Sequence, residues 1–242
     1  MTTTTPPKPR RQNKTRTLRR LVEFQGIRKL PLLQYRNSVR KLYDGPAGAA
    51  LALASLVSLH EPLIGRLLRN GGFRINERKS FLDVGSGAGQ IMGHLLRMSS
   101  PDARLVSFDL SHPMLKRAEQ RLKSDRPISV AGDLMRLPFA DESFDFITCG
   151  WVIEHLPDPV PGLKEISRVL RPGGSVLILA TENSLPGTVV SHTWKCRTYS
   201  RAELQSAFDA AGLPWGRQFW FTPVHRLLRI GGILVEATKP LA

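Results

Sequence analysis

The sequence predicts an α/β fold: a Rossmann-like, seven-stranded and mostly parallel sheet with helices on both faces, preceded by a helical, basic N-terminal arm. Three observations predict it. From Lys79 onward, short apolar runs alternate with longer helical segments. One of those runs ends in glycines at alternate positions. The excess positive charge is gathered at one end of the chain.

The alternation sets the topology. Strands are expected near 80–84, 104–108, 127–131, 144–149, 175–180, 216–221 and 231–238. Helices fall between the first five, for instance Gln90 to Met98 and His112 to Lys123, and another runs from Arg201 to Ala211. Strands separated by helices of that length imply parallel βαβ units with right-handed crossovers. The last two strands are separated by Thr222 to Ile230, where Pro223 and several bases favour a hairpin or long return.

Upstream, the chain divides into a disordered basic tail (1–17), a helical extension (18–72) and the α/β domain (73–242). Leu32, Tyr35, Val39, Leu42 and Tyr43 share one helical face, and a helical stretch is expected over roughly 47–69, ending at Asn70-Gly71-Gly72. The net charge is +15, yet residues 1–42 hold twelve Lys/Arg against Glu23 alone, a local +11. The basicity belongs to the arm, and the α/β domain is nearly balanced.

Composition excludes several classes. With 41 % hydrophobic residues the chain can bury a substantial core. Cys149 and Cys196 are far apart, so neither a disulfide framework nor a zinc site is expected, and a reducing compartment fits. No metal-ligand spacing stands out. The longest apolar stretch, Ala47 to Leu59, is too short to span a bilayer. Met1 to Gln12 has no apolar h-region, so no secretory leader is expected. A cytoplasmic location follows, with peripheral attachment to the inner membrane face as an option.

The chemistry concentrates at strand ends. Phe81-Leu82-Asp83-Val84-Gly85-Ser86-Gly87-Ala88-Gly89-Gln90 runs an apolar strand into three glycines and then a helix. Missing side chains allow a sharp turn and let a ligand lie against amides at the helix N-terminus. Open α/β sheets bind ligands beyond the carboxyl ends of their strands, where this loop sits. Asp109 closes the next strand and lies where a ribose-binding carboxylate is expected. The glycine spacing is G-x-G-x-G, without the glycine that completes the dinucleotide fingerprint G-x-G-x-x-G, which weighs against a nicotinamide cofactor.

From about Tyr43 to the C-terminus the chain resembles the class I S-adenosylmethionine-dependent methyltransferases, particularly the group with small-molecule, quinone and lipid acceptors. LDVGSGAG at 82–89 resembles the family's first motif and FDLS at 108–111 its second. AGDLMRLPFADESFDFITCGWVIEHLPD at 131–158 and LKEISRVLRPGGSVLILA at 163–180 resemble the stretches covering the third to fifth strands. TYSRAELQSAFDAAG at 198–212 and GGILVEATKP at 231–240 resemble its last helix and closing strand. Tyr43-Asp44 is similar to an N-terminal element that closes over the cofactor in this group.

The resemblance implies S-adenosylmethionine as cofactor and a role for each matching residue. Gly85, Ser86, Gly87 and Gly89 would bring backbone to the cofactor, and Asp83 would serve the methionine amino group. Asp109, with Leu110 beside it, would take the ribose hydroxyls. Asp133, between Gly132 and Leu134, would take the adenine amino group. Cys149, Gly150 and Trp151 would line the methionine and sulfonium, with Glu154 and His155 starting the next helix nearby. In-line methyl transfer depends chiefly on alignment, and a base is needed only if the acceptor holds its proton. His155 is the candidate base.

Cys149 is read as a small buried residue ending its strand, since the proline-bearing motif that accompanies nucleophilic cysteines of base-carbon methyltransferases is absent. His192, Trp194, Lys195, Cys196 and Tyr199 fall in a segment that commonly shapes the acceptor pocket, although polar loop residues are usually solvated. The expected activity is methylation of a small-molecule or lipid-like acceptor. The alternatives are an RNA methyltransferase using the basic arm, or a cofactor-binding protein without catalysis. Nucleic acid is the lesser partner, because Cys149-Gly150-Trp151-Val152 replaces the Asp/Asn-Pro-Pro-aromatic of enzymes that methylate base amino groups. The arm's +11 charge, with Leu18, Leu21, Val22, Phe24, Ile27 and Leu30 among the bases, points to an anionic membrane surface.

Overall fold

The computed structural model describes residue 37, residues 60–194 and residues 196–241. Apart from residue 37, the arm, the expected helices before residue 60 and Tyr43-Asp44 lie outside the described residues. Helix α1 (His60–Asn70) is the described end of the stretch expected over 47–69.

Seven strands form one sheet in the order β3-β2-β1-β4-β5-β7-β6. They are β1 (Ser80–Val84), β2 (Arg104–Asp109), β3 (Pro127–Ala131), β4 (Phe144–Gly150), β5 (Leu170–Ala180), β6 (Gln218–Phe219) and β7 (Ile233–Thr238). The first five pair in parallel; β7 runs antiparallel to both β5 and β6. Helices α2 (Gln90–Met98), α3 (His112–Leu122), α4 (Val160–Val169), α5 (Leu185–Trp194), α6 (Arg201–Ala210) and α7 (Pro223–Leu228) fill the connections.

Alternation along the strands builds two cores. Leu82, Ile147, Ile178 and Val235 face one side, packing with Leu163 and Ile166 of α4 and Leu204 and Phe208 of α6. Their neighbours Phe81, Phe146, Leu177 and Leu234 face the other, packing with Leu68 of α1 and Met92 and Leu95 of α2. Successive strand residues point to opposite faces, so a sheet covered on both sides needs continuous apolar runs. All five residues of β1 are buried, as that rule requires.

Local signals fix the helix starts. Ser111 and Ser200 accept hydrogen bonds from the amides of Met114 and Glu203, capping α3 and α6. Thr222 caps α7 by accepting from the His225 amide, and Pro223 opens that helix.

Two expectations are corrected. No helix joins β3 to β4; residues 132–143 form turns, with Phe139 packed edge-on against Phe108 and Phe144. Strand β6 is Gln218–Phe219 rather than the expected 216–221, because only these two residues pair with β7, although the Arg217 carbonyl also accepts from the Glu236 amide. The return from β6 to β7, expected as a hairpin or long return, is a long return between antiparallel partners and carries the short helix α7. Among the described residues no helix is long and apolar enough to cross a membrane.

Ile178 lies mid-sheet, opposite Cys149 on one side and Val235 on the other, and is fully buried. Ile178→Ala is expected to lower unfolding free energy by about 2–5 kcal/mol, measured by chemical denaturation.

Candidate functional site

Strand order β3-β2-β1-β4 places the carboxyl ends of four consecutive parallel strands side by side. The anticipated cofactor and base residues sit on that edge: Asp83 near the end of β1 with Gly85 to Gly89 following it, Asp109 ending β2 with Leu110 beyond, Gly132 to Leu134 after β3, and Cys149 and Gly150 ending β4 with Trp151 to His155 beyond.

The glycine loop is held by its neighbour strand. The amides of Gly85 and Ser86 both donate to the Phe108 carbonyl, at 2.7 and 3.0 Å. The Gly87 amide donates to Asp109 Oδ2 at 2.8 Å, and the Ser111 amide to Asp109 Oδ1 at 2.8 Å. Asp109 is thus a clamp on the loop as well as a candidate ligand group, a role the sequence pattern did not suggest.

The three glycines are needed for different reasons. All have positive φ, +69°, +54° and +79° for Gly85, Gly87 and Gly89. A Cβ on Gly85 would also strike Val152 Cγ2 at 2.0 Å, and one on Gly89 would press on Ala118 and Leu122 at 3.1–3.2 Å. Gly87 alone is limited by φ, since its nearest neighbour would be 3.7 Å away. The loop therefore packs tightly at Gly85 and Gly89 and meets only ordinary van der Waals neighbours at Gly87.

Asp83 is buried beneath the loop. Ser86 Oγ donates to its Oδ2 at 2.8 Å and Thr148 Oγ1 to its Oδ1 at 2.6 Å. Burial raises its pKa from 3.8 to about 6, against the lowering effect of those hydroxyls. Thr148, a polar residue inside the apolar run of β4, was the overlooked signal for this pairing.

After β3, the Met135 amide donates to Asp133 Oδ1 at 3.0 Å, shaping a turn in which Leu134 is buried. Gly132 is required by the Phe108 ring, which a Cβ would meet at 2.7 Å.

At the end of β4 the backbone is strained. Trp151 has φ +54°, a left-handed conformation that non-glycine residues adopt at a cost, and its amide donates to the Leu179 carbonyl at 2.7 Å. Its ring meets the His60 ring edge-on at 5.6 Å. Cys149 is fully buried and its thiol pKa is pushed up by burial, so it stays a thiol rather than a nucleophile.

Glu154 and His155 lie in a 3-10 turn, Ile153–His155. Thr181 Oγ1 donates to Glu154 Oε1 at 2.6 Å. Burial raises the Glu154 pKa from 4.5 to about 7. His155 is half-buried with Nδ1 shielded from solvent, and burial lowers its pKa to about 4. Of the segment expected either to shape the acceptor pocket or to be solvated, the structure buries one part and exposes another. Cys196, Arg197, Thr198 and Tyr199 are buried, and Tyr199 donates its hydroxyl to the Ile153 carbonyl at 2.9 Å. His192 is exposed.

A separate cavity of about 430 Å³ at the opposite edge, lined by Arg74, Arg78, Asp145 and Arg171 among others, is structural. Arg78 is bound to the Asp145 carbonyl and Ser175, and Arg171 to the Asp145 carboxylate.

Residues 82–178 match the family described as methyltransferase domain. The chain is 31 % identical over 176 residues to a demethylmenaquinone methyltransferase of Desulfitobacterium hafniense, covering 69 % of this chain and 66 % of that protein. It is 36 % identical over 148 residues to one from Staphylococcus aureus, covering 60 % of this chain and 58 % of that protein. The chain thus spans somewhat less than two thirds of these relatives' length. Among solved structures it is similar to geranyl diphosphate C-methyltransferase from Streptomyces coelicolor, with a TM-score of 0.68 at 16 % identity, covering 87 % of this chain and 100 % of that one. This last likeness establishes the fold.

The buried carboxyl of Glu154 yields a pH prediction. Because its folded pKa is raised from 4.5 to about 7, the stability it contributes is fully present below about pH 4.5 and is lost as pH rises through about 7. Relative to wild type, Glu154→Gln should gain up to about 3 kcal/mol of stability between about pH 4.5 and pH 8. Denaturant unfolding at the two pH values checks this; a constant difference would place the carboxyl in solvent.

Proposed function

We propose that this chain, which belongs to the class I S-adenosylmethionine-dependent methyltransferases, moves a methyl group from that cofactor to an apolar, quinone-like or other lipid-like acceptor. The carrying observation is the chain's 31–36 % identity to demethylmenaquinone methyltransferases over 148–176 residues. The residues fit such a cofactor: three positive-φ glycines carry the loop into the start of α2, and carboxylates stand at the ends of β1 and β2.

In this reading Gly85, Ser86, Gly87 and Gly89 hold the cofactor along their backbone. Asp109, already clamped by the Gly87 and Ser111 amides, faces the ribose. Asp133 and Leu134 flank the adenine, and Gly150 and Trp151 border the methionine. Asp83, enclosed by Ser86 and Thr148, supports the methionine amino group from below. The bound cofactor supplies an electrophilic methyl carbon on a sulfonium. The chain aligns the acceptor with it and excludes water. His155 remains the candidate base only for an acceptor that ionises easily, because burial holds its pKa at about 4. The arm, residues 1–42, attaches the protein peripherally to an anionic membrane face through its +11 charge.

Calorimetry should show S-adenosylmethionine and its demethylated product binding, with nicotinamide dinucleotides negligible; tighter nicotinamide binding would overturn the reading. Asp109→Ala should weaken cofactor binding by about 1–3 kcal/mol, the scale for bonds to a charged group. Gly87→Val should weaken it more, by straining a turn whose φ is +54° and by adding a branched side chain where this reading places the cofactor. Wild-type affinity in both folded variants would remove these residues from the site. A panel of short-chain quinols, isoprenoid acceptors and RNA, assayed for turnover, tests the acceptor class. Methylation of RNA alone would sink it.

A further inference from the structure

Among the described residues, six of the eight large apolar side chains left exposed sit on α5 and α7: Leu185, Val189, Val190, Val224, Leu227 and Leu228. The sheet places both helices at the functional edge. Helix α5 follows β5, which ends at Ala180 on that edge. Strand β7 begins opposite Ala180, and Phe219 of β6 pairs with Leu234, so the β6–β7 return lies there too.

Helix α7 is amphipathic in the inverted sense. Val224, Leu227 and Leu228 recur at i, i+3 and i+4, the spacing of a face that normally covers a core. Here they are 58, 81 and 60 % exposed, and no residue of the helix is buried. Arg226 and Arg229 flank the stripe, and no acid occurs between Asp209 and Glu236. A chain of rings ties this helix to the site: His225 to Phe221 at 5.7 Å, Phe221 to His60 at 6.0 Å, and His60 to Trp151 at 5.6 Å.

Apolar side chains flanked by guanidinium groups, with no nearby acid, match a bilayer with anionic headgroups, where the stems bury and the charges stay at the interface. A six-residue helix and the start of α5 offer far less than the roughly 800 Å² per partner of a stable protein interface. Partial insertion into lipid has no such threshold.

We propose that α7, together with the first turn of α5, seats in the headgroup layer of an anionic membrane and turns the mouth of the site toward the lipid phase. An apolar acceptor then reaches the site without crossing water. This rests on the lipid-like acceptor proposed above, and it assigns the orienting contact to the α/β domain rather than to the arm.

The test uses the full chain with its arm intact. Wild type, Leu227→Asp/Leu228→Asp and Arg226→Gln/Arg229→Gln are sedimented with phosphatidylcholine vesicles with and without phosphatidylglycerol. The aspartate pair should lower partition onto anionic vesicles by about tenfold or more, as expected for removing two inserted side chains, while the melting temperature stays unchanged. The glutamine pair should lose part of the binding and part of its salt sensitivity. Turnover of a water-soluble short-chain quinol should be unaffected by the aspartate pair, while turnover of a vesicle-embedded quinol falls. Undiminished vesicle binding by the aspartate pair overturns the proposal. That holds whether the face proves to be covered by a second copy, another protein or residues 38–59. If no quinol is methylated and vesicle binding still collapses, the acceptor assignment fails and the docking surface stands.

Discussion

The whole functional edge depends on how the chain leaves β1. Beyond Val84 the parallel ladder stops, yet the next amides still need acceptors. Gly85 and Ser86 both donate to the Phe108 carbonyl, and Gly87 donates to the Asp109 carboxylate. The loop is thereby stapled to the end of β2, and three positive-φ residues in five positions become unavoidable. Side chains would be strained at each; at Gly85 one would also collide with Val152, and at Gly89 one would press on α3.

That staple explains why Asp109 does two jobs. Its oxygens hold the Gly87 and Ser111 amides, so one carboxylate orders the loop and the start of α3 together. A group that ties two backbone segments has a fixed orientation before any ligand arrives. Such preorganisation lowers the ordering cost of binding. Removing it would loosen the loop as well as delete a contact.

The edge is also where the fold tolerates electrostatic cost. Asp83 and Glu154 are both buried, with pKa values raised to about 6 and about 7. Hydroxyls of Ser86, Thr148 and Thr181 offset part of that desolvation. Elsewhere on the molecule buried ions are neutralised more fully: Glu236 pairs with Arg217, and Arg197 pairs with Glu203 while lying over the Tyr199 ring at 4.4 Å. Perturbed carboxylates gathered at the ends of β1 and β4 are the pattern expected of a functional site.

Much of this protein is written locally. Strand alternation, the glycine loop, the Ser111 cap and the apolar stripes of α2, α4 and α6 each depend on residues within one turn or one strand. For that reason the α/β class, the parallel first five strands and the residues at their carboxyl ends could be read in the sequence. The tertiary structure decided what distant residues share. It brought Thr148 to Asp83 and Thr181 to Glu154, bonded the Tyr199 hydroxyl of the buried Cys196–Tyr199 segment to the Ile153 carbonyl, and left 132–143 as turns with Phe139 packed against Phe108 and Phe144. It also turned the apolar face of α7 outward. Periodicity shows that Val224, Leu227 and Leu228 share a face, but whether a face meets a core or solvent depends on what the sheet places opposite it.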